Sequence, residues 1–368
     1  MPKKTNDISP NDSYSSEFKS DCHGYTAIPD TLARRDRIIA IGDVHGDLHL
    51  TIKNLLIAKV IDKTNKGKNT LQITYEDKTI EYYKWIGNDT VVVQVGDQVD
   101  RCRPVGEGTV CVIDEDATVD DEHSDVKILD LFTELNKLAR KKNGMVISLL
   151  GNHEIMNYQG NVNYVSYKGV HNSDFEGKDQ KKEFRKEGKT FDDGIEGRRY
   201  AFKEKINERL ACTRQSAVIV GSFIFVHGGI VPELAKKYKV NEINNLIRKW
   251  LLNKITDKNS DIDYLLNTPR ESPFWARLFG HLPSGLPLSD KNCNPLKDTL
   301  NIWEGTKGLV IGHTPQLKKG INSTCGDKIW RVDIGASKAF DVFGKNNNRK
   351  PSVLEILNDG DQFNILKE

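Results

Sequence analysis

The chain has 368 residues, of which 37% are hydrophobic and 29% charged, with 54 Lys and Arg against 52 Asp and Glu. Its length allows one large domain or two ordinary ones, each with a sizeable core. A formal net charge of +2 excludes a general nucleic-acid-binding surface, and no apolar stretch reaches the ~18 residues of a membrane-spanning helix.

Residues 1–33 are rich in Ser, Asp, Asn and Lys and are expected to form a flexible N-terminal tail before a single domain over 34–368. The lysines of Met1-Pro2-Lys3-Lys4 have no apolar stretch behind them, so no secretory signal is expected. Cysteines at 22, 102, 111, 212, 293 and 325 form no Cys-x-x-Cys pair, which argues against a zinc knuckle. With no secretory signal, all six are expected to be reduced, in an intracellular, cytoplasmic protein.

From Arg37 the pattern changes. Ile38 to Ile41 is a short β-branched run that predicts a buried strand, and Asp47 is placed to cap a helix carrying Leu50, Leu55 and Leu56. Residues 69–86 alternate as a β-hairpin around Glu76-Asp77. A second strand is predicted at Val91 to Val95. Residues 102–127 form an acidic, non-periodic insertion, with a solvated loop expected over 114–125. Ile128 to Arg140 has helical spacing, and Met145 to Leu150 predicts a third strand. A second polar insertion spans 160–195. Further strands are predicted at Phe223 to Val226, at Leu309 to Ile311 and near the C-terminus. Strands alternating with helices predict an α/β layered fold.

All five apolar runs end in polar, site-type residues. They are followed by Gly42-Asp43-Val44-His45-Gly46, Gly96-Asp97-Gln98-Val99-Asp100-Arg101, Gly151-Asn152-His153-Glu154, His227-Gly228-Gly229 and Gly312-His313-Thr314. One such stretch alone is more often a capped turn than a reactive site. Five strand ends with the same chemistry are poorly explained that way, because α/β sheets place ligands at the carboxyl ends of their strands. The potential metal ligands are Asp43, His45, Asp97, Asn152, His227 and His313. Oxygen and nitrogen donors without thiolate suit Mn, Fe or Zn. Six ligands suit two metals that share a bridging carboxylate and water. Two divalent cations against two carboxylates and one hydroxide leave one net positive charge, which suits a phosphate anion. Asp43 and His45, two apart, are expected to point to one side of an extended backbone.

In this order, the five stretches resemble the metallophosphoesterase signature, and more narrowly that of the phosphoprotein phosphatase superfamily. The resemblance runs from Asp43 to about Gly335. It implies a four-layer β-sandwich flanked by helices, with Asp43, His45 and Asp97 on one metal and Asp97, Asn152, His227 and His313 on the other. It further implies that His153 is the general acid, that Asp100 orients it, and that Arg101 clamps phosphate. Arg277, in Pro273-Phe274-Trp275-Ala276-Arg277, is the candidate for a second clamp. The implied activity is hydrolysis of phosphate monoesters, on phosphorylated protein or peptide, by a hydroxide bridging two metals, manganese for preference. Leu150 before Gly-Asn-His-Glu, Gly312-His313-Thr314 and Val332-Asp333-Ile334-Gly335-Ala336 resemble the bacterial-type branch and its Shewanella-like protein phosphatases. Two other readings stay open: a dinucleoside polyphosphate hydrolase or phosphodiesterase on the same fold, and an inactive scaffold. Cys102 stands where that family commonly has glycine and is expected to be an inert thiol. His49 is expected to be solvated or to sit behind the ligands.

Overall fold

The computed structural model describes residues 12–344 and 347–368. In chain order its strands are β1 (Thr31–Leu32), β2 (Arg37–Ile41), β3 (Ile61–Thr64), β4 (Leu71–Thr74), β5 (Ile80–Trp85), β6 (Val91–Gln94), β7 (Met145–Leu149), β8 (Arg214–Gln215), β9 (Ala217–Val220), β10 (Phe223–Val226), β11 (Gly308–Ile311), β12 (Asn322–Thr324), β13 (Ile329–Arg331), β14 (Ser352–Leu357) and β15 (Gln362–Lys367). One six-stranded sheet has the order β15-β14-β2-β6-β7-β8, and a second has the order β1-β9-β10-β11-β13-β12. All five predicted apolar runs are therefore central strands. β2, β6 and β7 are mutually parallel, as are β10 and β11, so their carboxyl ends lie along common edges.

Period-two alternation divides these strands between layers. Ile38 and Ala40 of β2 join Val91, Val93, Val218, Phe225 and Val310 in a core between the sheets. Ile39 and Ile41 face the other way, onto a core shared with Leu55, Ile128 and Phe132 of the helices Leu48–Ile57 and Asp125–Arg140. Ile224, Val226, Leu309 and Ile311 likewise pack outward, against helical residues such as Ile243, Ile247 and Leu265. The result is the four-layer helix–sheet–sheet–helix α/β arrangement expected from the sequence. The hairpin around Glu76-Asp77 forms too, as β4 and β5, and β3 adds to it as a third strand. Asp47 caps the helix Leu48–Ile57, accepting from Leu50 N at 2.9 Å.

Three expectations are revised. Residues 12–33, expected as flexible tail, are part of the fold. A helix covers Asp12–Asp21, Phe18 and Cys22 enter the core, and β1 pairs with β9. Residues 1–11 lie outside the described residues. The cysteines are not free: they pair as Cys22–Cys212, Cys102–Cys111 and Cys293–Cys325, with Cα–Cα distances of 5.5, 5.9 and 5.7 Å. Sequence spacing hides these pairs because the fold, not the chain, makes the partners neighbours. A reducing compartment therefore cannot be argued from the cysteines. No helix among the described residues is long and apolar enough to cross a membrane.

The Cys22–Cys212 bridge closes a loop of 190 residues and ties the N-terminal helix to the core. Replacing Cys22 by serine is expected to cost about 2–5 kcal/mol, read as a lower midpoint in urea. An unchanged midpoint would show that packing around Phe18 alone holds this segment.

Candidate active site

Each strand end turns its polar residues into one buried cluster where the two sheets meet. Asp43, His45, Asp97, Asn152, His227 and His313 are all buried. His227 Nε2 lies 3.2 Å from Asp97 Oδ2 and 2.9 Å from Asn152 Oδ1. His45 Nε2 lies 3.8 Å from Asp97 Oδ2 and 4.0 Å from Asp43 Oδ2. Asp97 is thus shared by two groups of potential ligands, with His45 and His153 in one and His227 and His313 in the other.

The turns that deliver these side chains are tight. His45, Asp97, Asp100 and His313 all have positive φ, at 42°, 54°, 73° and 64°. His45 thus reaches Asp43 through a left-handed turn and not along extended backbone, as the sequence suggested. Such conformations cost roughly 1–3 kcal/mol each and persist only where the surroundings over-determine them. Glu154 supplies part of that constraint here. Its carboxylate accepts from the backbone N–H groups of Gly151, Asp97, Gln98 and Val99 at 2.6–3.3 Å, which fixes the turn carrying Asp97. Gly312 has a different reason: a Cβ there would lie 2.3 Å from Asp43 Oδ1.

The imidazoles are oriented from behind. His45 Nδ1 meets Val99 O at 3.2 Å, His227 Nδ1 meets Val95 O at 2.9 Å, and His313 Nε2 meets Trp275 O at 3.1 Å. Tying one ring nitrogen to a carbonyl leaves the other as a lone-pair donor, the usual arrangement at a metal. Burial, reinforced by Arg103, holds the His45 imidazole well below its usual pKa. Burial also lowers His313, helped by His227 and Arg277. Both rings are therefore neutral donors. Burial pushes the Asp97 carboxyl up, but the imidazoles of His227, His153 and His45 outweigh it and hold Asp97 well below the carboxylate range.

Asp43 Oδ1 is buried without a hydrogen-bond partner, as is Asp333 Oδ2. Burial, then the carboxylates of Asp333 and Asp97, raise the Asp43 pKa well above its usual value. Burial and Asp97 push Asp333 up to about 6. Three buried carboxylates with two orphaned oxygens, facing buried imidazoles, form a mixed oxygen–nitrogen donor set. The residues present fit divalent metal ions, and the absence of thiolates fits hard or borderline ones. Asp333 stands two residues beyond the end of β13 (Ile329–Arg331), and no motif in the sequence marks it as part of the site.

His153 lies beside the ligands and not among their strand-end tethers. Its Nδ1 meets Asp100 Oδ2 at 2.7 Å, and its Nε2 is 3.8 Å from Asp97 Oδ2. The ring stands edge-on to His45 and Tyr164. Arg277 donates to His313 O at 2.7 Å at the edge of the same cluster.

Arg101 departs from expectation. Its guanidinium is buried and bound to Glu122 Oε1 at 3.0 Å, Asp47 Oδ2 at 3.3 Å, Gly46 O at 3.2 Å and Asp120 O at 2.9 Å. So held, it braces the Asp43–Asp47 turn and does not present a free fork to phosphate. Arg103 is the arginine whose charge bears on Asp97, Asp100, Asp333 and Asp43. It lies over the Phe340 ring at 4.7 Å and the Tyr164 ring at 5.8 Å, and donates to Asp100 O and Cys102 O. The sequence offered a weak signal in a second arginine two residues on, next to a cysteine that the Cys102–Cys111 bridge now fixes.

The acidic 114–125 segment is not a uniformly solvated loop either. Asp121 accepts from Ser166 Oγ and Lys168 N, Glu122 from Leu48 N and Arg101, and Asp125 from Asp100 N. His49 stacks on Tyr75 at 4.6 Å with 14° between the rings, so it belongs to the small sheet's contact and not to the ligand cluster.

Comparison with known proteins agrees with this geometry. The family model described as calcineurin-like phosphoesterase matches residues 36–331. Shewanella-like protein phosphatase 2 of Arabidopsis thaliana is 29% identical over 350 residues, covering 88% of this chain and 76% of that protein. An uncharacterized protein of Acanthamoeba polyphaga mimivirus is 38% identical over 251 residues, covering 62% of this chain and 94% of that protein. The crystal structure of a cold-active protein-tyrosine phosphatase of a psychrophile Shewanella sp. superposes with a TM-score of 0.57 at 20% identity, covering 100% of this chain and 89% of that one. At that identity the likeness concerns the fold. With a buried oxygen–nitrogen donor set at the meeting strand ends and a family match that spans all five motifs, the chain belongs to the calcineurin-like phosphoesterases and is a metal-dependent phosphatase.

Proposed function

We propose that this phosphatase acts on phosphorylated protein side chains and transfers the phosphoryl group directly to water, with no covalent phosphoenzyme. One observation carries the reading: the His153–Asp100 pair, 2.7 Å apart, stands beside the ligand cluster with Nε2 turned toward Asp97. A phosphate monoester on a serine, threonine or tyrosine leaves as a basic oxygen and needs a proton at that moment. His153 Nε2 supplies it, while Asp100 holds Nδ1–H and stabilises the charged ring. The bound metals, held by Asp43, His45, Asp97, Asn152, His227 and His313, would supply positive charge and a water of lowered pKa. Arg103 and Arg277 bind the phosphoryl oxygens, for which planar guanidinium forks are suited. All six cysteines are paired, so a thiolate nucleophile is not among the groups on offer. The Arabidopsis and Plasmodium berghei relatives, 29% and 27% identical, bear the name protein phosphatase, which supports a phosphoprotein substrate.

Stripping metals with EDTA is expected to reduce hydrolysis of a phosphopeptide to background, and manganese to restore it. In the same assay a dinucleoside polyphosphate is expected to turn over at least about tenfold more slowly, because it offers no terminal phosphoryl group to the Arg103 and Arg277 guanidinium forks. Faster turnover of the dinucleotide than of any phosphopeptide would replace this reading with a nucleotide hydrolase.

A further inference from the structure

We propose that Arg198 is a positioning residue for proton transfer, acting through the Asp100–His153 pair; this rests on the reading of His153 as the acid. Asp100 has a φ of 73°, a costly conformation for a non-glycine residue, so its surroundings must define it. Its backbone N–H donates to Asp125 Oδ2 at 3.3 Å. Its Oδ2 faces His153, and its Oδ1 accepts from Asn157 Nδ2 at 2.7 Å and Arg198 Nη2 at 3.4 Å. Arg198 joins Asp100, Asn157 and Asp125 to one another. Nη2 also donates to Asp125 Oδ2 at 2.7 Å, Nε donates to Asn157 Oδ1 at 2.8 Å, and Nη1 donates to Gly169 O at 3.0 Å.

The side chain is 1% exposed and lies over Phe202 at 4.9 Å and Phe175 at 5.7 Å. A rigid planar fork can meet four partners at once, which a lysine ammonium on a flexible stem does not. The backbone is placed with equal care. Arg198 sits on the helix Gly194–Glu204, and at the preceding Gly197 a Cβ would lie 1.8 Å from Phe175 O. The helix that follows the polar 160–195 insertion thus delivers one buried arginine to the back of the catalytic pair. Arg198 touches neither phosphate nor a metal ligand. It fixes the Asp100 carboxylate, which fixes the tautomer and direction of His153.

The test uses leaving groups, since a misdirected acid matters most where the departing oxygen is basic. In the metal-loaded full chain, Arg198→Met is expected to lower kcat about 30-fold or more for phenyl phosphate but less than about 3-fold for 2,4-dinitrophenyl phosphate, whose leaving group needs no proton. Arg198→Lys keeps the buried charge and guards against a folding failure. It is expected to show the same bias, about 10-fold against less than 3-fold. Added to His153→Asn, Arg198→Met is expected to change phenyl phosphate hydrolysis by less than about 2-fold, because the two act as one unit. Metal content by mass spectrometry is expected to match wild type in all variants. Equal losses on both esters, unchanged rates in Arg198→Lys, or additive losses with His153→Asn would overturn the proposal. If His153→Asn itself shows no leaving-group bias, the acid assignment falls and this inference with it. If only His153→Asn shows the bias, the acid assignment stands and Arg198 is purely structural.

Discussion

Replacing Asp97 with alanine is expected to lower manganese-supported hydrolysis of an aryl phosphate by more than about 1000-fold, or about 4 kcal/mol of barrier. Three imidazoles of the site surround one of its oxygens. Asp97 Oδ2 is 3.2 Å from His227 Nε2 and 3.8 Å from both His45 and His153 Nε2. Its Oδ1 accepts the backbone N–H of His153 at 3.0 Å, so the same carboxylate also seats the proposed acid. Removal leaves three imbalances: both halves of the donor set lose their shared oxygen, the imidazoles lose the anion that attracts a cation, and the His153 backbone loses its acceptor. Metal analysis of the purified variant separates these effects. Bound metal is expected to fall below that of wild type, and adding excess manganese is not expected to restore turnover. Substantial residual activity would sink the two-metal arrangement. A contrasting Asp97→Asn variant keeps the His153 N–H acceptor but not the charge. It is expected to be almost as inactive, which would place most of the loss on electrostatics and not on local geometry.

The second large effect separates two neighbouring arginines. Arg103→Met is expected to reduce kcat/KM for phosphopeptide by about 100-fold or more with little loss of stability, since it removes a cation proposed to bind the phosphoryl group. Arg101→Met is expected to act mainly on folding. It strips the partner from buried Glu122 and Asp47, whose carboxylates lie 3.0 and 3.3 Å from Arg101 Nη1. Breaking a buried pair from one side costs roughly 3–5 kcal/mol. Burial already pushes the Glu122 pKa up, with Arg101 the main influence that lowers it. Urea melts and initial rates on both variants decide the matter. A catalytic defect in Arg101→Met at unchanged stability would return the phosphate-binding role to Arg101 and imply that its Glu122 contact opens when substrate binds.

Much of the site was legible in the sequence because its chemistry is local to each strand end. Asp43, His45, Asp97, Asn152, His227 and His313 each follow a short β-branched or aromatic run by one to four residues, and parallel pairing of β2, β6 and β7, and of β10 and β11, aligns those ends. The pairing of His153 with Asp100 followed from resemblance, and the structure brings the two within 2.7 Å. What was not legible depends on residues far apart in the chain. Arg198 and Asp100 are separated by 98 positions, and Cys22 and Cys212 by 190. Neither pair has a periodic or spacing signal. The polar segment 114–125 looked like a solvated loop because hydrophilic composition does not distinguish a carboxylate in water from one buried against an arginine.

By itself, then, the sequence determined the α/β character, the strand ends and the types of donor gathered there, because short apolar runs and glycine-flanked turns are properties of neighbouring residues. Only the tertiary structure decided which cations and carboxylates meet. It turned Arg101 toward Glu122 and Arg103 toward the ligands, closed three disulfides and set Arg198 behind Asp100. A charged side chain can be buried only where an opposite charge and enough hydrogen bonds arrive from elsewhere in the fold.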